Sequence, residues 1–248
     1  MFDLSVEGSV ARLVLSRAEV RNAIPLDGWS ELAATAERAV AEGARGLIVS
    51  GIPGGAFCAG ADISDFGKFQ EDSEARTVFR LAMRGGLDRL REIPVPTVAL
   101  VEGACYGAGV ALAMACDIRI AGGGAQFAIT PAKLGISYPQ EDVHRLVSLV
   151  GPGQAARLLF SAATIDGAEA ARIALAELFM ESGAAEAAAA LAEAIAANDP
   201  ESLRTLKRGV GLGEAGIRQD EGQDLAFDDL LGSEALARGL EAYWGRVR

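Results

Sequence analysis

Ala56-Phe57-Cys58-Ala59-Gly60-Ala61-Asp62-Ile63 and Gly103-Ala104-Cys105-Tyr106-Gly107-Ala108-Gly109 are the stretches on which the reading of this chain turns. Each follows an apolar, strand-like run: Leu47-Ile48-Val49 for the first and Val98-Ala99-Leu100-Val101 for the second. The second leads into a helix-like run, Val110 to Met114. Small residues at such turns let a ligand approach the backbone closely. Amides at the start of a helix favour negative charge. Two turns that each aim one N–H at the same oxygen make an oxyanion hole, the device that stabilises a thioester enolate.

Composition bounds the rest. The chain has 248 residues, half of them apolar, enough for one domain with a sizeable core. With 23 basic and 34 acidic residues the net charge is −11, which argues against nucleic acid and anionic membranes as partners. An anionic ligand therefore needs local cations, and Arg17 and Arg21 are candidates. No apolar run is long enough to span a bilayer, and the N-terminal residues lack the basic and apolar regions of a signal peptide. Cys58, Cys105 and Cys116 show no metal or disulfide spacing, so reduced thiols in a cytoplasmic protein are expected. His144 is the only histidine, which excludes a multi-histidine metal site; it reads as a helix-surface or interface residue. No Gly-x-Gly-x-x-Gly or Gly-Lys-Ser/Thr phrase is present.

Along the chain, Val10 to Leu15 reads as a strand with Ala11, Leu13 and Leu15 on one face. Asp27 is placed to cap a helix carrying Trp29, Leu32, Ala36 and Val40. Residues 64–74 read as a mobile loop or frayed helix. Phe79, Met83, Leu87 and Leu90 recur at helical spacing up to Pro94. Cys116 to Ala121 reads as a strand and Leu146 to Phe160 as a helix interrupted at Gly151-Pro152-Gly153. Asp166 with Glu169 forms a capping-box-like pair for a helix over Ala168 to Ala176. Ala184 to Ala197 is an alanine-rich helix stopped by Asn198-Asp199-Pro200, and mostly helical sequence follows to Arg248. Strands alternating with helices indicate an α/β fold with parallel units; alternation alone favours a doubly wound sheet.

Five phrases in order resemble the enoyl-CoA hydratase/isomerase (crotonase) family. They are Arg17 to Ile24, Phe57 to Ile63, Gly107 to Ala121, Ala125-Gln126-Phe127 and Leu134-Gly135-Ile136. The resemblance implies a spiral of ββα turns over residues 1–195, then a C-terminal helical region over 196–248. It also implies a homotrimer or dimer of trimers and coenzyme A as part of the substrate, with no separate bound cofactor. Carried over by position, the amides of Ala61 and Ala108 would be the oxyanion donors. Glu19, Val20, Arg21, Ala23, Ala59, Ala61, Asp62 and Ile63 would line the CoA groove; Asp62 is also readable as a cap for the following turn.

The departures matter as much. The two glutamates of the family's hydratases fall here on Ala111 and Pro131, neither of which moves a proton. Thr130 to Tyr138 resembles the corresponding stretch of methylmalonyl-CoA decarboxylase, a family member in which the tyrosine lies beside the acyl group. Decarboxylation needs an oxyanion hole but no carboxylate base. Two residues are therefore candidates for proton handling: Tyr138 and Glu141. Glu141 with Asp142 is otherwise an acidic helix start. The expectation is an acyl-CoA-processing enzyme. The alternatives are a malonyl-type acyl-CoA decarboxylase and a catalytically weak CoA-binding or structural subunit.

Overall fold

The computed structural model describes residues 1–247; Arg248, the last residue of the expected helical region, lies outside the described residues. Strand β1 (Phe2–Glu7) pairs antiparallel with β2 (Val10–Leu15), with Phe2 opposite Leu15. From β2 onward the large sheet is parallel: β2, β3 (Gly46–Gly51), β4 (Thr97–Val101), then β6 (Ile118–Gly122) and β9 (Leu178–Met180). A small second sheet holds β5 (Ala104–Tyr106) parallel to β7 (Gln126–Ala128), with β8 (Ile165–Asp166) antiparallel to β7. The chain thus leaves one strand in each sheet per turn, β4 then β5, and β6 then β7. This is the expected ββα spiral rather than a doubly wound sheet.

Strand alternation divides the large sheet into two faces. Leu13, Leu47, Val49, Ala99 and Val101 belong to the main core, with α1 (Gly28–Ala41) and α2 (Ser73–Glu92). Ile48, Val98, Leu100 and Ile120 point the other way, against α6 (Ala184–Ala196). That helix buries Ala184, Ala188, Ala192 and Ala196, a stripe at i, i+4 spacing whose single methyl groups let helix and sheet approach closely.

The remaining helices are α3 (Ala108–Ala115), α4 (Gln140–Ser161), α5 (Gly167–Arg172), α7 (Pro200–Glu214), α8 (Glu221–Leu231) and α9 (Glu234–Val247). Several expectations shift. Asp27 makes no side-chain cap. Residues Ile63–Gln70 form a 3-10 helix before α2, which Asp72 caps through the N–H groups of Glu74 and Ala75. Helix α4 starts six residues ahead of Leu146, because Pro139 marks its entry, and it does break at Gly151 (φ 75°). Helix α5 ends at Arg172, short of Ala176, because Ala174 turns left-handed (φ 63°) into β9. Asp166 caps α5 as expected, accepting from the Glu169 N–H at 2.8 Å.

Candidate active site

The two opening stretches meet backbone to backbone. Cys58 and Cys105 form a parallel bridge, with Cys58 N–H donating to Ala104 O at 3.0 Å and Tyr106 N–H to Cys58 O at 2.9 Å. Glycine is required at the contacts. A Cβ on Gly109 would lie 2.2 Å from Cys58 O, and one on Gly103 2.2 Å from Gly55 O. Gly60 (φ 105°) has space for a Cβ only 2.9 Å from Tyr106 O and 3.1 Å from Ala108 N, so the second turn's amide sits directly beside the first turn.

A third segment locks the first turn from outside. Buried Asn22, itself left-handed (φ 59°), donates to Ala56 O at 2.7 Å and Phe57 O at 3.1 Å, and accepts from Arg17 N–H at 2.9 Å. Ile24 then brackets Ala61: its N–H reaches Gly60 O at 2.8 Å and its carbonyl takes Asp62 N–H at 2.9 Å. That bracket leaves the Ala61 N–H without an acceptor among the described residues. Ala108 opens α3, so its N–H is one of the helix's orphan donors, and its φ is not in the positive range.

Above these amides lies a cavity of about 160 Å³. Ala59, Gly60, Ala61, Gly107 and Ala108 form its floor; Phe79, Arg80 and Met83 of α2 form one wall; Pro131, Leu134 and Tyr138 face them. Phe66, Phe69 and Phe79 cluster at one side, with ring centroids 5.1–5.7 Å apart. None of the described lining residues is an aspartate or glutamate. Ala111 is fully buried behind the floor, and Pro131 is part of the wall.

Tyr138 reaches this cavity, and its hydroxyl donates to Gly107 O at 3.0 Å. Burial, reinforced by the nearby Asp142 carboxylate, holds its phenol well above the usual value, so it stays neutral. Glu141 is not brought to the cavity. It is exposed and lines a separate groove with Asp88, Arg91, His144, Arg145 and Glu214, because α4 has already begun and turns this position outward.

One residue later the same helix turns inward. Asp142 is fully buried and pairs with Arg84 of α2 at 3.0 Å; Arg84 also reaches Asp88 at 2.8 Å. Burial pushes the Asp142 carboxyl up, although Arg84 and Arg145 pull it back. This ionic tie between α2 and α4 was not foreseen: Asp142 and Arg145 are close in sequence, but Arg84 lies four strands earlier and carries no local signal.

On the outer side of the first turn, Arg17 is already engaged, with Ala23 O at 2.8 Å and Asp62 at 3.2 Å. Asp62 takes the capping alternative: it accepts from Ser64 N–H at 3.1 Å and Ser64 Oγ at 2.7 Å, which with Arg17 lowers its pKa. Glu19, Arg21 and Ile63 are exposed, and Val20, Ala23 and Ala59 half-buried, along the same side. His144 is exposed on α4, and no group of acidic, histidine or cysteine side chains suited to a metal occurs among the described residues.

The sequence pattern of the enoyl-CoA hydratase/isomerase family matches residues 5–246. The chain belongs to that family. A short-chain-enoyl-CoA hydratase of Clostridium acetobutylicum is 33% identical over 227 residues, 91% of this chain and 85% of that one. The mouse mitochondrial methylglutaconyl-CoA hydratase is 36% identical over 129 residues, but these are only 52% of this chain and 40% of the mouse protein. Among solved structures, an enoyl-CoA hydratase/isomerase family protein from Hyphomonas neptunium superposes with a TM-score of 0.93 at 33% identity, covering 99% of this chain and 95% of its own. For this family member the spiral is therefore the family's fold, and acyl-CoA processing the family's work.

Proposed function

We propose that this family member stabilises a thioester enolate between the Ala61 and Ala108 amides. The observation that carries the reading is the pair of N–H groups without protein acceptors at the floor of a largely apolar cavity. Donors fixed before the charge develops need no reorganisation during reaction, and removing one donor from such a hole typically costs about 10²–10³ in turnover. The CoA portion would run along Glu19, Val20, Arg21, Ala23, Ala59, Asp62 and Ile63, on the open side of the first turn. With Ala111 and Pro131 in the family's glutamate positions, Tyr138 handles the proton. A neutral phenol serves there as a donor to the enolate rather than as a base, once its hydroxyl turns from Gly107 O. The resemblance further suggests a trimer or dimer of trimers.

The absence of acids among the described lining residues favours a second reaction within the same frame. In decarboxylation of a malonyl-type thioester, the bond to the carboxylate breaks, CO₂ leaves, and the electron pair enters the enolate held by the two amides. The carbon then takes a proton from Tyr138 or water. No carboxylate base is required, and a glutamate in the cavity would repel the substrate's own charge.

The test is to incubate the pure protein with crotonyl-, 3-enoyl-, methylmalonyl- and 3-hydroxyacyl-CoA and follow products by mass. Turnover of any of them supports the enolate reading, and CO₂ loss from methylmalonyl-CoA selects the second reaction. Tight CoA binding with no turnover overturns both in favour of a binding subunit. In Tyr138→Phe the expected loss of turnover is about 10²–10⁴-fold. Full activity in that variant would remove Tyr138 from the chemistry.

A further inference from the structure

Helix α2 carries five arginines: Arg76, Arg80, Arg84, Arg89 and Arg91. Four are engaged. Arg76 donates to Phe69 O at 2.5 Å, Arg84 pairs with Asp142 and Asp88, Arg89 holds Glu37 at 2.6 Å, and Arg91 pairs with Glu214. Arg80 alone of the five has no hydrogen-bond or ion-pair partner among the described residues. It is also the one that lines the cavity, one residue from Phe79 and one helical turn from Met83. Among the described lining residues it is the only formal charge, in a wall otherwise built of Phe66, Phe79, Met83, Leu134 and Ile136.

An unpaired guanidinium beside an apolar cavity suits an acyl group that ends in an anion. Resting on the thioester reading above, we infer that the preferred substrate is the CoA thioester of a dicarboxylic acid, whose distal carboxylate pairs with Arg80 while its thioester oxygen lies at Ala61 and Ala108. The planar guanidinium can take both carboxylate oxygens at once. Arg80 is itself exposed at the edge of the cavity, so the pairing forms at the mouth, where the guanidinium is free to meet a carboxylate that extends out of the apolar interior. No described lining residue supplies a competing counter-ion. The net charge of −11 makes the point sharper: elsewhere this protein repels anions, so an anionic acyl group needs a dedicated cation.

Equilibrium binding of two saturated thioesters of matched length, each freshly prepared and checked for intact thioester by mass, tests this. Succinyl-CoA carries a terminal carboxylate where butyryl-CoA has a methyl group. The wild-type protein is expected to bind succinyl-CoA about tenfold more tightly. Arg80→Gln should abolish that preference while leaving butyryl-CoA affinity unchanged, and Arg80→Lys should restore part of it. Equal affinity for both ligands in the wild type overturns the proposal, as does a preference that survives Arg80→Gln. Equal weakening of both ligands in Arg80→Gln would place the guanidinium on the CoA phosphates and also overturn it. Binding of neither thioester by the wild type would overturn the thioester reading itself, a result distinct from equal binding of both.

Discussion

Gly109 has no room for even a methyl group, since its nearest neighbour is a carbonyl oxygen of the facing turn. Gly109→Ala must therefore push α3 away from Cys58. The expected cost is about 1–3 kcal/mol, read as a lower urea midpoint at unchanged slope, together with a fall in turnover as the Ala108 amide moves. A fully active, equally stable variant would contradict the described contact. The same crowding explains why these two turns were legible from sequence: their chemistry is backbone, so small residues at fixed positions announce it. Asn22 was visible only as a letter in a phrase, and its role emerged from Ala56 and Phe57, whose carbonyls it holds from far along the chain. From sequence, Asp142 and Glu141 share an acidic helix start, and Glu141 alone is a candidate for the proton. They separate because the helix starts at Gln140, which puts one side chain against Arg84 and the other in solvent.

Elements were legible where periodicity ran long. Helix α2 and the alanine stripe of α6 follow from spacing alone. Strands β5, β7, β8 and β9 have two or three residues each, too few for alternation to register, and their pairing is wholly long-range. Packing between elements adds a pH dependence. Glu169 of α5 bridges Arg172, on its own helix, and Arg157 of α4 at 2.5 Å. The Arg172 hydrogen bond, then Arg157, lowers its pKa from 4.5 to about 2. A lowered carboxylate contributes stability above its unfolded value and loses it as pH falls through the folded one. Glu169→Gln should therefore melt below the wild type at pH 7, and the gap should narrow below pH 4.5 and close near pH 2. Thermal melts across that range check it; a constant gap would mean that packing, not charge, is lost.

At the scale of the whole molecule, α7 is fastened to the spiral by Lys207, which donates to Val95 O at 2.8 Å and pairs with Asp117 at 2.9 Å. Helices α8 and α9 leave Phe227 60% and Trp244 55% exposed, with Leu225, Leu231 and Tyr243 alongside. Side chains of this size, left bare on successive helices, suit burial against another copy. Sedimentation equilibrium is expected to give three or six times the chain mass, and a monomer at micromolar concentration would refute the assembly. The spiral also sets which side of the cavity can yield. Its floor is two turns in van der Waals contact through glycine, stitched by Asn22 and Ile24, and it cannot part without breaking several hydrogen bonds at once. The opposite rim, from Ile63 to Phe79, is a 3-10 helix and a helix start joined by an exposed cap, three aromatic contacts and the Arg76 hydrogen bond to Phe69 O. Amide hydrogens in the floor should exchange with solvent on the timescale of global unfolding and those in the rim far sooner, which makes the rim the side of the cavity that opens while the floor stays fixed.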